Sequence, residues 1–261
     1  MSGTPVARRR GIGPADLAVF LACVLAVMLA GPVDDDTPFA EPSAQAGGGA
    51  ATPAPERLAA PVVDADGIQR ALKSAQPSIA LTFDDGPDPR WTPTVLDLLG
   101  SHQIKATFCL VGQHVAQHPE LVRRIAAEGH ALCNHTWSHD AALQRRSRSA
   151  VRDELERTSR AIAAASGGVA PRYFRAPAGN WAPVAVAEAR RLGLGLLGWS
   201  VDPLDWRQPP AGEITRRVLA RAGPGAIVLL HDGYGARGGT VAALRTILPT
   251  LAAQNLRFVT P

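Results

Sequence analysis

Short β-like runs alternate with helix-like ones from Ser78 onward, and this alternation restricts the fold more than any other feature of the chain. Such repetition lays strands side by side in a parallel sheet with helices packed over it. The pattern predicts strands over residues 79–83, 104–111, 131–134, 173–175, 195–201, 226–230 and 257–260. Helices are predicted over 92–99, 119–128, 149–165, 183–192, 211–221 and 240–253. Thr92-Pro93 supplies an N-cap and a first-turn proline, while Gly129 and Gly167-Gly168 stop the helices before them. About seven or eight βα units in under about 190 residues predict an α/β fold, a distorted or incomplete (β/α) barrel of seven to eight strands. In such a barrel the chemistry belongs at the carboxyl ends of the strands.

The region before Ser78 has a different composition. Arg8, Arg9 and Arg10 precede an apolar run at residues 17–30, matching the charged and hydrophobic parts of a secretion signal. The run falls short of the roughly 20 residues a membrane span needs, so both a cleaved signal and an uncleaved N-terminal anchor fit it. Ala44-Gln45-Ala46 offers a small-x-small cleavage site, and Cys23 reads as a small apolar filler. Residues 32–61 are rich in Pro, Ala and Gly and cannot bury much surface. The expected organisation is a signal peptide or anchor at 1–46, a linker at 47–77 and one catalytic domain at 78–261. The location expected is secreted, or held on the outer face of the cytoplasmic membrane.

The formal net charge is +4, and the arginines of the first 46 residues are outnumbered by Asp16, Asp34, Asp35, Asp36 and Glu41. The remainder is therefore more positive than the whole, which suits an anionic wall or glycan surface. Arginine is scattered and forms no basic run interleaved with aromatics, so no nucleic-acid partner is expected. Membrane contact is expected only through the N-terminal anchor, and the protein is expected to be a monomer.

Two segments carry metal and acid–base chemistry. Thr82-Phe83-Asp84-Asp85-Gly86-Pro87 ends the first strand of the alternating region with adjacent carboxylates, and a turn there can bring both to one site. Taken alone, Asp-Asp-Gly is as readily a solvated acidic turn. His135-Thr136-Trp137-Ser138-His139 follows a strand, and two imidazoles four residues apart can reach one ion. With Asp85 they make a three-ligand set that leaves a position open for water. Three further segments fall at strand ends: Arg175-Ala176-Pro177-Ala178-Gly179-Asn180-Trp181, Asp202-Pro203-Leu204-Asp205-Trp206 and Leu229-Leu230-His231-Asp232-Gly233. Singly, Arg175 reads as a surface ion-pair partner, Asp205 as a helix cap and His231 as a turn histidine. Their joint order and placement is what points to a site.

These five segments, in this order over about residues 78–261, resemble the motifs of the NodB-homology polysaccharide deacetylases, carbohydrate esterase family 4. The resemblance implies a NodB-like distorted barrel and a zinc-dependent hydrolase, with cobalt or another divalent ion able to substitute. It implies Asp84 as general base and Asp85, His135 and His139 as metal ligands. Arg175 is similar to the arginine that fixes the base, and Asp205 to the carboxylate that orients the catalytic acid, His231. Trp206 and Leu229 are similar to the apolar groups covering the acetyl methyl, and Ala178 to the residue whose backbone N–H meets the oxyanion. Two departures stand out: many members carry Tyr where this chain has Ala178, and Gly is often found where Cys133 stands.

The substrate the resemblance implies is an N-acetylated polysaccharide, peptidoglycan or chitin-type N-acetylglucosamine. An amine is a poor leaving group and needs a proton as it departs, whereas an alkoxide leaves more readily. The intact pairing of His231 with Asp205 therefore favours the amide over acetylated xylan, the alternative substrate. A glycan-binding pseudoenzyme is the reading from a different class, and loss of Asp84, His231 or a ligand would favour it. Finally, Cys109 and Cys133 lie late in the second and third predicted strands. Adjacent strands about 4.8 Å apart bring same-facing residues within disulfide range, and an exported protein permits oxidation. The alternative is two buried free thiols.

Overall fold

A computed structural model describes residues 62–261, all of which lie within one compact unit. The expected signal or anchor, its cleavage site and Cys23 lie outside the described residues. The strands are β1 (Val62–Val63), β2 (Ile68–Ala71), β3 (Ser78–Asp84), β4 (Thr107–Leu110), β5 (Ala131–Asn134), β6 (Tyr173–Phe174), β7 (Gly195–Leu197), β8 (Ile227–His231) and β9 (Arg257–Phe258). The helices are α1 (Thr92–Ser101), α2 (Gly112–Gln117), α3 (Pro119–Ala127), α4 (Arg148–Ala165), α5 (Pro183–Arg191), α6 (Ala211–Leu219) and α7 (Gly238–Ala252).

Seven strands form a curled parallel sheet in the order β2-β7-β6-β5-β4-β3-β8, with β1 antiparallel to β2 and β9 parallel to β3. Isolated bridges join Val201 to Val228 and Ala71 to Ala226, drawing β8 back toward the β7 and β2 side. The result is the distorted, incomplete barrel that the alternation predicts. The linker expected at 47–77 runs too far: β2 pairs with β7 in register Ile68↔Leu196, so part of that segment belongs to the sheet. Pro/Ala/Gly content upstream masked a four-residue strand whose sequence, Ile-Gln-Arg-Ala, has only one large apolar residue.

β3 shows how the sequence positions the site. Every residue in it is buried, as expected of a central parallel strand covered on both faces. Its alternate residues Ile79, Leu81 and Phe83 join the main core with Val95, Leu96, Ile247 and Leu248 of the covering helices. The intervening Ala80 packs inside the curl with Cys109, Cys133, Leu197 and Ile227. A period of two then places Thr82 and Asp84 on that same inner side, at the strand's carboxyl end. α4 covers the outside through Val151, Leu155, Thr158 and Ile162, a helical stripe, and begins at Ser147, whose hydroxyl accepts the Ala150 N–H at 3.2 Å.

Candidate active site

A cavity of about 450 Å³ opens at the carboxyl ends of the strands, lined by residues from all five segments, among them Asp84, His135, Ala178, Asp205's neighbour Trp206, and His231. Asp85 should face the helices by simple alternation after Asp84. Its φ of +76° turns it inward instead, an uncommon conformation for a residue with a side chain. Close approach is what holds this turn. A Cβ on Gly233 would meet the Asp85 carbonyl oxygen at 2.1 Å, and one on Gly86 would meet the Asp232 carboxylate at 2.6 Å. The glycines following Asp-Asp and His-Asp therefore let the β3 and β8 loops touch, which explains their place in both segments.

Asp85, His135 and His139 each offer one atom, all within 4.8 Å of one another. His139 Nε2 lies 3.1 Å and His135 Nε2 3.5 Å from Asp85 Oδ1. His135 Nδ1 is 2.8 Å from the Arg175 carbonyl oxygen, so Nδ1 carries the proton and Nε2 is left to ligate. Asp85 Oδ1 is buried without a hydrogen bond from any other group. Burial opposes the Asp85 charge, but His135 and His139 outweigh it and hold the carboxyl far below its ordinary range. An anionic oxygen with two imidazole nitrogens around one point fits a divalent cation, and three protein donors leave coordination positions open. His139 adopts φ +55° and Thr136 φ +65°, so the loop is wound specifically to present both rings.

Arg175 is fully buried and donates four hydrogen bonds: Nε to the Leu197 carbonyl at 2.9 Å, Nη2 to that of Gly198 at 2.9 Å, and Nη1 to Thr82 Oγ1 at 2.8 Å and Asp84 Oδ1 at 2.7 Å. It therefore fixes Asp84 against β7 across the curl, leaving Asp84 Oδ2 toward His135 Nε2 at 3.7 Å. Asp205 meets His231 from the other side, with Oδ1 at 2.7 Å from Nδ1. Burial works against an imidazolium at His231, but the hydrogen bond and charge of Asp205 prevail and raise it to about 9. Beside it, burial pushes Asp232 up to about 7, partly offset by the 2.5 Å hydrogen bond from Thr92.

Trp206, Leu229 and Ala178 line the cavity, Ala178 with φ +52°. Cys109 and Cys133 are register partners in β4 and β5 and are joined as a disulfide. Three groups escaped sequence reasoning. Arg237 lines the cavity and sends Nε to the Gly233 carbonyl at 2.6 Å and Nη2 to that of Tyr234 at 2.6 Å. His114, on the unforeseen α2, places Nδ1 2.8 Å from the Asp85 carbonyl oxygen. Trp199 lines the cavity wall against Gly179. None sits in a motif whose residue types announce chemistry, so only their folding onto the loops reveals them.

The sequence profile of the polysaccharide deacetylase family matches residues 71–197. The chitooligosaccharide deacetylase of Bradyrhizobium sp. (strain ANU 289) is 46% identical over 192 residues, covering 69% of this chain and 87% of that protein. The crystal structure of the Bc1960 peptidoglycan N-acetylglucosamine deacetylase in complex with a naphthalenyl N-oxidanyl-benzamide superposes with a TM-score of 0.70 at 37% identity, over 73% of this chain and 89% of that one. A carbohydrate esterase family 4 pseudoenzyme from Bacillus anthracis, BA3943, superposes with a TM-score of 0.69 at 28% identity, over 75% of this chain and 67% of that one. A shared fold thus accommodates both active and inactive sites, and the side chains must decide between them.

Proposed function

Since this chain belongs to the polysaccharide deacetylase family, we propose that it hydrolyses the acetamide of N-acetylglucosamine units in chitin-type or peptidoglycan glycans and releases acetate. The observation that carries this reading is the opposed pair of proton-transfer groups in one cavity. Asp84 is held by Arg175 beside the Asp85, His135 and His139 cluster, while His231 is held by Asp205 and kept protonated. A pseudoenzyme has no need of this complete set, and the charged groups would otherwise be costly to bury.

Zinc, or cobalt in its place, bound by Asp85, His135 and His139 would lower the pKa of a water to about 7 and polarise the acetyl carbonyl. Asp84 Oδ2 accepts a proton from the attacking water as its oxygen bonds to the acetyl carbon. We assign the Ala178 N–H to the oxyanion that develops there. His231, with Nδ1 engaged by Asp205, uses Nε2 to hand a proton to the sugar nitrogen as the C–N bond breaks. Trp206 and Leu229 enclose the acetyl methyl. The charged run at residues 8–10 and the apolar run at 17–30 support export, secreted or anchored outside the cytoplasmic membrane, where these polymers lie.

Acetate release measured in parallel from peptidoglycan, N-acetylated chitooligosaccharides and acetylated xylan, with and without a chelator, tests the proposal. Chelator-sensitive release from the first two supports it. Release from acetylated xylan alone would assign the cavity to O-acetyl esters instead.

A further inference from the structure

Among the described residues four large apolar side chains are notably exposed, Val63, Val169, Trp206 and Tyr234, and two of them stand at the cavity. Trp206 lines it. Tyr234 lies just beyond its rim, with its ring centroid 5.1 Å from that of His139, a lining residue, and 4.7 Å from that of His114. The Tyr234 backbone has φ +46°, a conformation that favours glycine and is strained for a bulky aromatic. Such strain persists only where the surroundings enforce it, and here they do. The buried Arg237 holds the carbonyls of Gly233 and Tyr234, and Trp91 Nε1 donates to the Gly235 carbonyl at 2.9 Å. The ring is thereby presented from a fixed loop with 42% of the residue open to solvent.

We propose that Tyr234 is the stacking platform for the sugar unit next to the one being deacetylated, and so selects glycan chains over single sugars. The proposal rests on the glycan reading of the cavity. A polymer whose acetamido group enters between Trp206 and Leu229 must leave over the rim, and beyond the rim on the His139 side stands Tyr234. A pyranose offers a face of C–H groups, which packs on an aromatic face much as apolar groups do. A rigid aromatic with two side-chain torsions gives that contact at low entropic cost.

The test is calorimetric binding of N-acetylglucosamine and its oligomers of up to four units to the full chain. Two forms avoid turnover, Asp84→Asn and the metal-stripped wild type, each with and without Tyr234→Ala, alongside metal analysis of the metal-loaded forms. The expected result is a Kd about tenfold weaker for oligomers, equivalent to about 1.4 kcal/mol, with the single sugar and metal content unaffected. Tyr234→Phe should retain oligomer binding, because the ring face is kept. An equal loss on every length accompanied by lower metal content would overturn the proposal and make Tyr234 a positioning residue for His139. So would unaltered affinity at every length, or no oligomer binding to either form. Tyr234-dependent oligomer binding by a chain that releases no acetate would leave the platform standing and remove the deacetylase reading.

Discussion

Asp205 engages His231 twice, with Oδ1 at 2.7 Å from the ring Nδ1 and Oδ2 accepting the backbone N–H at 2.9 Å. Oδ2 also accepts the Thr240 hydroxyl at 2.8 Å, so the carboxylate cannot turn without breaking several bonds, nor the imidazole without losing its bond to Oδ1. The ring is thus fixed with Nε2 as its free nitrogen, and its proton is stabilised by a buried anion.

This pairing sets a basic limb in the pH profile. Because the folded-state pKa of His231 is raised from 6.5 to about 9, both its acid form and the stability it contributes are fully present below the ordinary value and lost as pH rises through about 9. A cation held by Asp85, His135 and His139 would oppose the imidazolium and shift the limb of the loaded enzyme to lower pH. Asp205→Asn should move it to lower pH. Profiles of kcat/KM for both proteins check this, and an identical limb in the variant would contradict it.

Arg175 should matter to stability as well as turnover. It is fully buried, ties β3 to β7, and its removal leaves Asp84 as an uncompensated buried carboxylate. Loss of one partner of a buried pair costs about 3–5 kcal/mol. Arg175→Met should therefore unfold at markedly lower denaturant concentration, while Arg175→Met with Asp84→Asn should recover part of the loss. Additive losses in the double variant would show that the pair is not coupled.

The proposed mechanism divides labour between the adjacent carboxylates Asp84 and Asp85. His135→Ala and His139→Ala should each lower bound metal, because each removes one of three donors. Asp84→Asn should retain metal and lose turnover, since its Oδ1 is committed to Arg175 and it stands outside the three-donor set. Metal analysis after dialysis decides the matter: an empty site in Asp84→Asn would mean that Asp84 is itself a ligand.

The disulfide between Cys109 and Cys133 closes a loop of sequence separation 24 and anchors β5, the strand that leads into His135. Cross-links of this size contribute about 3 kcal/mol. Mass analysis without reductant should find the two linked, and reduction should lower the unfolding midpoint accordingly. Full alkylation of both thiols without reductant would contradict it.

Much of this was legible in the sequence because it follows from short-range periodicity. The buried run of β3 and the amphipathic stripe of α4 each carry their own signal, and the carboxyl ends of β3, β5 and β8 place Asp84, His135 and His231 together. What stayed hidden depends on backbone torsion and long-range contact. No local pattern indicates that Asp85 adopts a positive φ, that Gly233 abuts its carbonyl, or that Arg237 reaches back to the loop of Tyr234. β2 was missed for a related reason: its place in the sheet is set by β7, more than a hundred residues away, and not by its own composition.

The central claim is that one cavity breaks an amide, with Asp84 taking a proton and His231 giving one. The most direct test compares wild type and His231→Ala, both with verified metal content, on an N-acetylated chitooligosaccharide and on an aryl acetate. The amine must be protonated to leave and the aryloxide need not be, so the variant should lose about 10² to 10⁴ in rate on the amide and far less on the ester. Equal losses on both substrates, or no acetate from the amide with the fully loaded wild type, would contradict the account.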